Sequence, residues 1–241
     1  MSSRTSRRWR NAFVRTASAE VRIETMEVRL LLSVFIQEGH IAIIAKHDAL
    51  GGVNSVLGAY ASGAIVTTDG AAVYKHFSNG MIVWSPATGA REVHGIINRR
   101  YKEFGGPNGT IGLPISDEKI TLKSDGRINP FQRGMIAFPL VATEASDITG
   151  NIAQAYYKWG GAWGFLGFPT SNEISVPSKN YRMNTLKGGI IVASPVTGIH
   201  EVHGLILSRY NEIGGPSGIL GLPTSDEMNM PGGRVSYFQY G

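Results

Sequence analysis

Several residues in this sequence have the type and spacing that catalysis or binding uses. His200-Glu201-Val202-His203 sets two histidines three residues apart. That spacing can hold a metal, although the zinc-protease helix needs His-Glu-x-x-His. Carboxylates recur as Asp117-Glu118, Asn172-Glu173 and Asp226-Glu227, and a glycosidase needs two such groups at one cleft. A serine nucleophile on a strand-to-helix elbow needs Gly-x-Ser-x-Gly. The nearest stretch, Gly215-Pro216-Ser217-Gly218-Ile219, has its second glycine out of place. Trp9, Trp84, Trp159 and Trp163 complete the set. Their amphipathic rings suit a half-wet surface on which the C–H face of a sugar stacks.

The elements that position these residues repeat. Paired glycines stand at Gly51-Gly52, Gly105-Gly106, Gly160-Gly161 and Gly214-Gly215, at offsets of 54, 55 and 54. Leu57-Gly58, Ile111-Gly112, Leu166-Gly167 and Leu220-Gly221 keep step, and so do Phe77-x-x-Gly80, Phe131-x-x-Gly134 and Leu186-x-x-Gly189. Register held over three periods marks a repeat architecture. The units run roughly over 39–93, 94–148, 149–202 and 203–241. The fourth lacks the apolar segment that follows Gly80, Gly134 and Gly189 in the others, and residues 1–38 lie outside the pattern.

One unit can be read locally. In REVHGIINRRYKEFGG, Val93, Ile96, Ile97, Tyr101 and Phe104 form a helical stripe. Gly105, Gly160 and Gly214 end that helix in a left-handed conformation that costs glycine no Cβ clash. The Gly167-Phe168-Pro169 turn follows, and FSNGMIVWSP reads as two strands about a glycine turn. Each unit is a short helix plus strands and must stack on its neighbours to bury its apolar face. The expected fold class is therefore α+β, a chain of tandem units closing into a propeller-like ring, with an open array as the alternative. Leu30–Ile36 reads as a strand that could fill the gap in unit four.

Alignment of the units sorts the chemistry. His94 matches His203, but Arg91 stands where His200 does. With no third ligand in sight, metal and cofactor are both expected to be none. The histidines are expected to bond a backbone carbonyl near the helix start. A catalytic pair would not be copied into each unit, so Glu118, Glu173 and Glu227 are expected to close their turns by accepting backbone N–H bonds. No catalytic residue is assigned. Trp159 matches Leu50, Phe104 and Ile213, an apolar column that reads as core. Trp84 matches Phe138 and Ala193, which favours core over a ligand contact. Trp163 matches Asn54, Asn108 and Ser217, so a tryptophan on a polar loop column is the first candidate for ligand contact. Tyr60 replaces the turn proline of the other units and is a second candidate.

Charge and composition exclude whole classes. Residues 1–22 hold six arginines and one acid, and the chain's net charge is +5. The other 219 residues thus balance at 17 basic and 17 acidic side chains, which leaves the body no excess to neutralise phosphates. No nucleic acid is expected as a partner. There is no cysteine, hence no disulfide framework. Leu30–Ile36, interrupted by Ser33, is the longest apolar run and is too short to span a bilayer, so no transmembrane segment is expected.

At Leu166-Gly167-Phe168-Pro169, Ile111-Gly112-Leu113-Pro114 and Leu220-Gly221-Leu222-Pro223, the chain closely resembles the LGFP repeat family of bacterial envelope proteins. AKHDALGG, FSNGMIVWSPATGA and LGLPTSDE fit the same pattern. Unit one departs from it, with Leu57-Gly58-Ala59-Tyr60. The resemblance covers about residues 41–241. It implies a non-catalytic module that associates with cell-wall polysaccharide or peptidoglycan, often beside an envelope enzyme. ETMEVRLLLSV at Glu24–Val34 resembles an LExRxLLS-type export motif, and Ser6–Asn11 is similar to a twin-arginine signal. Export to the cell surface, periplasm or wall is therefore expected, with a cytoplasmic location as the alternative. A wall esterase or amidase, or a glycan-independent protein-binding repeat, are the competing functions.

Overall fold

The computed structural model describes residues 4–121 and 125–241, with side chains from residue 26 onward. Ser6–Asn11, Trp9, Glu24 and the six arginines thus lie outside the described side chains; only their helical backbone is described.

The chain opens with a helix, α1 (Arg4–Ala49). Three four-stranded antiparallel sheets follow, each a meander in sequence order. The first holds β1 (Ile65–Val66), β2 (Val73–Phe77), β3 (Gly80–Ser85) and β4 (Gly89–His94). The second holds β5 (Lys119–Ile120), β6 (Gly126–Phe131), β7 (Gly134–Pro139) and β8 (Ser146–Thr149). The third holds β9 (Ile174–Val176), β10 (Tyr181–Thr185), β11 (Gly189–Ser194) and β12 (Gly198–His203). The fourth unit contributes a two-stranded ladder of β13 (Met228–Met230) and β14 (Gly233–Val235). A nine-residue helix leaves each four-stranded sheet: α2 (Gly95–Glu103), α3 (Gly150–Lys158) and α4 (Gly204–Glu212). Each helix ends on a left-handed glycine, Gly105, Gly160 or Gly214, and a one-turn 3-10 segment leads into the Leu-Gly-x-Pro turn.

The third strand of each sheet is buried on both faces: Met81, Ile82 and Val83 on β3, Met135, Ile136 and Ala137 on β7, and Ile190, Ile191 and Val192 on β11. One face meets the helix that precedes the sheet, the other the helix that follows it. Four cores result. Ile43, Leu57, Val73, Phe77 and Ile82 join α1 to unit one. Met81, Val83, Ile97, Tyr101 and Ile136 join units one and two. Met135, Ile152, Tyr156, Leu166 and Ile191 join units two and three, and Ile190, Val192, Tyr210 and Leu222 join units three and four. The repeating helix-plus-sheet architecture is thus α+β. Its stability is a chain of neighbour interfaces, since one unit alone exposes a face of its own third strand.

Leu30–Ile36 is not a strand and does not reach unit four. It lies within α1, where Phe35, Gly39, Ile43 and His47 recur every four residues and so line one face of a helix. That face covers the first sheet: Phe35 packs tilted against Trp84 at 5.2 Å between ring centroids, and Ile43 and His47 are buried. The helix runs unbroken across residues 38 and 39, and α1 takes the place against the first sheet that α2 and α3 take against the second and third. Its Met26–Ala49 portion is long and apolar enough, by length and composition, to cross a membrane. A count of consecutive apolar residues misses this because Gln37, Glu38 and Gly39 interrupt the run. Val93 also sits at the end of β4 rather than on the helix.

Candidate functional site

Two kinds of site recur at every junction: a buried ionic cluster and a surface groove. The cluster uses the last strand of one sheet and the turn of the next unit. At the first junction Glu92 is buried, and its Oε1 accepts the backbone N–H of Glu118 (3.0 Å). Its Oε2 lies 2.6 Å from Nδ1 of His94. Glu118 accepts from Nη1 of Arg127 (2.9 Å) and lies 3.4 Å from Nε2 of His94. The third junction repeats this: Glu201 accepts the N–H of Glu227 (3.0 Å), His203 bridges Glu201 (2.6 Å) and Glu227 (3.2 Å), and Arg234 pairs with Glu227. At the second, Asp147 replaces the first glutamate and Thr149 the histidine. There Arg100 pairs with Asp147 (2.5 Å), Arg182 with Glu173 (2.5 Å), and Thr149 donates to Glu173 (3.0 Å).

This geometry corrects two expectations. Glu118, Glu173 and Glu227 hold arginines and do not accept the N–H groups of their own turns; at the first and third junctions Glu92 and Glu201 accept those N–H groups. His94 and His203 face carboxylates instead of backbone carbonyls. The reason is burial: a carboxylate removed from water needs a cation and full hydrogen bonding. A histidine between two carboxylates has the parts of an acid–base centre, but Glu118 and Glu227 are nearly inaccessible, and none of the grooves described below is lined by them.

The cluster carries a pH signature. Burial alone would lower the His94 pKa, but the Glu92 hydrogen bond and the Glu118 and Glu92 charges outweigh it and raise the value above the ordinary 6.5. Burial raises the Glu118 carboxyl above 4.5 despite opposition from His94 and Arg127. Both groups bind protons more tightly when folded. The His94 contribution is therefore complete below pH 6.5 and is lost as pH rises through its folded pKa, and Glu118 acts in the same direction from 4.5 upward. His94→Thr, which copies Thr149, is expected to flatten this fall. The difference in melting temperature between wild type and variant, measured from pH 5.5 to 8.5, isolates the effect from His76. Burial, then Lys102, pushes the His76 pKa down.

The groove lies between the 3-10 turn of one unit and the hairpin loop after the first strand of the unit before. At the first junction Asn108 closes it by accepting the N–H of Thr68 (2.8 Å). At the third, Lys179 reaches across to the carbonyl of Ser217 (3.1 Å), and a cavity of about 300 Å³ remains beside Tyr240 and Gln239. At the second, Trp163 holds this position. It borders a cavity of about 400 Å³ together with Phe165, Phe168, Thr121, Asp125 and Lys187. Trp163 is 49% exposed and Phe165 is 52% exposed. Phe165 leans on the His203 ring, 4.7 Å between centroids. The groove thus offers two half-wet aromatic rings with a carboxylate and an ammonium at its edge. The sequence singles out Trp163 as a candidate but not its neighbour in the groove, Phe165, whose counterparts Val56, Thr110 and Ile219 make an uninformative column.

The three aromatic candidates, Trp163, Tyr60 and Trp84, are not brought together, and Trp159 is core. Trp159 packs against the second junction core. Trp84 packs against Phe35 of α1, and Tyr60 stands half-exposed against His47 and Phe77 in unit one. Gly167 and Pro169 shape the turn: Gly167 has φ of 66°, and Pro169 bridges to Leu186. The carbonyl of Gly167 accepts from the buried Tyr156 hydroxyl (2.6 Å). Tyr101 and Tyr210 bond Gly112 (3.0 Å) and Gly221 (2.5 Å) in the same way, and in unit one His47 takes this role with Gly58 (2.8 Å). Among the described residues, no group of three or more potential ligands that could hold a metal ion occurs.

No curated protein matches the chain. A family model described as LGFP repeat matches residues 57–109, 111–164 and 166–218. Each match begins at the leucine or isoleucine that opens the turn and ends within the 3-10 turn of the next unit or one residue beyond it. Each therefore spans one four-stranded sheet and the helix that leaves it, while every ionic cluster extends beyond a single match. These segments cover well over half of the sequence, and the chain belongs to the LGFP repeat family.

Proposed function

We propose that the protein is an exported, non-catalytic module of the cell envelope that binds a wall polysaccharide or peptidoglycan through the groove at Trp163. One observation carries the proposal. Equivalent grooves are crossed by Asn108 or by Lys179, whereas among the described residues the second is bordered by an exposed tryptophan beside a cavity of about 400 Å³. A sugar ring fits such a site through its C–H face, with Asp125 and Lys187 able to meet its polar groups. The same reading takes the units as an open array headed by α1, and the four described cores support it, since each joins consecutive elements.

The absence of catalysis is part of the same proposal. The carboxylate clusters occur at each junction and are buried, which suits structure better than turnover. A wall esterase or amidase remains the competing reading, and turnover of chromogenic esters or muropeptides that survives repurification would establish it. Export rests on the resemblance of Glu24–Val34 to an export motif and on the basic segment before it.

Co-sedimentation with purified sacculi tests binding. The protein is expected in the pellet at low and moderate salt, and Trp163→Ala is expected to weaken the association about tenfold, the worth of one aromatic contact near 1.4 kcal/mol. Its melting temperature should barely move, since the ring is half in water. Protein that stays in the supernatant at both salt levels would favour a glycan-independent repeat.

A further inference from the structure

Among the departures of unit one from its copies are three that the fold gathers around one ring. His47 stands where the others have Tyr101, Tyr156 and Tyr210. Tyr60 replaces Pro114, Pro169 and Pro223, and Lys75 replaces Asn129, Asn184 and Ser236. The His47 and Tyr60 rings are 4.7 Å apart, and the Lys75 ammonium lies 4.9 Å from the centre of the Tyr60 ring. Phe77 backs the group, 4.5 Å from His47 and 5.1 Å from Tyr60.

Two of these groups have polar atoms that the protein leaves unmatched. Asn129 and Asn184, at the Lys75 position, each donate to a backbone carbonyl at 2.8 Å. Lys75 is as deeply placed, at 6% exposure. Among the described residues its ammonium has the Tyr60 ring and neither a carboxylate nor a hydrogen-bond acceptor. His47 is 1% exposed. Its Nε2 faces the Gly58 carbonyl at 2.8 Å, and since a carbonyl only accepts, Nε2 carries a proton; in the neutral ring Nδ1 then offers a lone pair. That Nδ1 is buried without a hydrogen-bond partner. The exposed Asp48 stops 3.9 Å away, beyond hydrogen-bond reach. A buried acceptor left open is costly unless something completes it, and here an ammonium without a carboxylate partner contacts the same Tyr60 ring. The exposed member, Tyr60, covers both.

We propose that His47, Tyr60 and Lys75 form a second binding site, for a carboxylate-bearing sugar. The carboxylate accepts from the Lys75 ammonium, a ring hydroxyl donates to Nδ1 of His47, and the C–H face of the sugar lies on the Tyr60 ring, which moves aside to admit it. This site is separate from the Trp163 groove, and either can fail alone.

The test uses the full chain labelled with nitrogen-15 and titrated with glucuronate, with glucose and acetate as parallel arms. Glucuronate is expected to shift the His47 imidazole nitrogen signals at millimolar concentration. Glucose, which lacks the charge, and acetate, which lacks the ring, should bind at least tenfold more weakly. Lys75→Asn and Tyr60→Pro restore the residues of the other units, so the fold already accommodates them. Each should weaken glucuronate at least tenfold. Lys75→Gln should do the same if Lys75→Asn fails to fold. No shift with glucuronate, equal binding of glucose or acetate, or undiminished binding by a folded Lys75 variant would overturn the proposal. Sacculus binding plays no part in this readout.

Discussion

Arg100→Ala is expected to lower unfolding stability by about 3 kcal/mol. Asp147 is 2% exposed and belongs to the last strand of the second sheet. Arg100 reaches it from α2 through Nη2 (2.5 Å) and Nε (3.1 Å). Removing one partner of a buried ion pair strands the other charge, a loss of about 3–5 kcal/mol. The lower end applies because the Arg100 side chain is about a fifth exposed and the amide of Asn172 can also donate to Asp147 (2.9 Å). Urea unfolding gives the value. The double variant Arg100→Ala with Asp147→Asn should be less destabilised than Arg100→Ala alone, because neutralising the stranded carboxylate removes the penalty. Equal or greater loss in the double variant would mean that the guanidinium acts by packing, as its position 4.9 Å from the centre of the Phe104 ring allows.

Gly164→Ala is expected to cost a similar amount, about 3 kcal/mol, through a clash that no side chain can relieve. A Cβ at this position would lie 1.9 Å from the carbonyl oxygen of Trp159. Gly109 and Gly218 would meet Phe104 and Ile213 in the same way, at 1.8 Å and 2.1 Å. The 3-10 turn folds back so tightly on the end of the helix that only hydrogen fits. Unit one carries Ser55 at the equivalent place, so its turn follows a wider path, and Ser55→Ala should stay within about 1 kcal/mol of wild type. Because Gly164 follows Trp163 directly, Gly164→Ala should also misaim the tryptophan and weaken sacculus binding. The two effects separate by comparison with Trp163→Ala, which should lose binding without losing stability.

Much of this organisation is legible in the sequence because it depends on glycine. The left-handed ends of the helices and the second position of the turns need glycine, so the spacing of those glycines survives in every unit. Trp159 is likewise readable as core because its column is apolar throughout. What stays hidden depends on partners distant in sequence. Glu118 follows a turn and carries no local sign that Arg127 and His94 will enclose it. Trp84 occupies a variable strand position, and only the docking of α1 decides that Phe35 covers it. α1 itself is obscured because Leu30–Ile36 is apolar at every position but Ser33, so a short window has neither the strand period nor the helix period. The four-residue spacing of Phe35, Gly39, Ile43 and His47 is present in the sequence, but it becomes informative only once His47 is matched to the helix tyrosines of the later units.

The most direct test follows the indole N–H signals of the folded protein by NMR during titration with soluble wall glycan fragments. The Trp163 signal is expected to shift and saturate, while the Trp159 and Trp84 signals, packed in the second junction core and under α1, stay in place. A titration that reaches saturating fragment without moving the Trp163 signal, or that moves the Trp159 signal in its stead, would contradict the account.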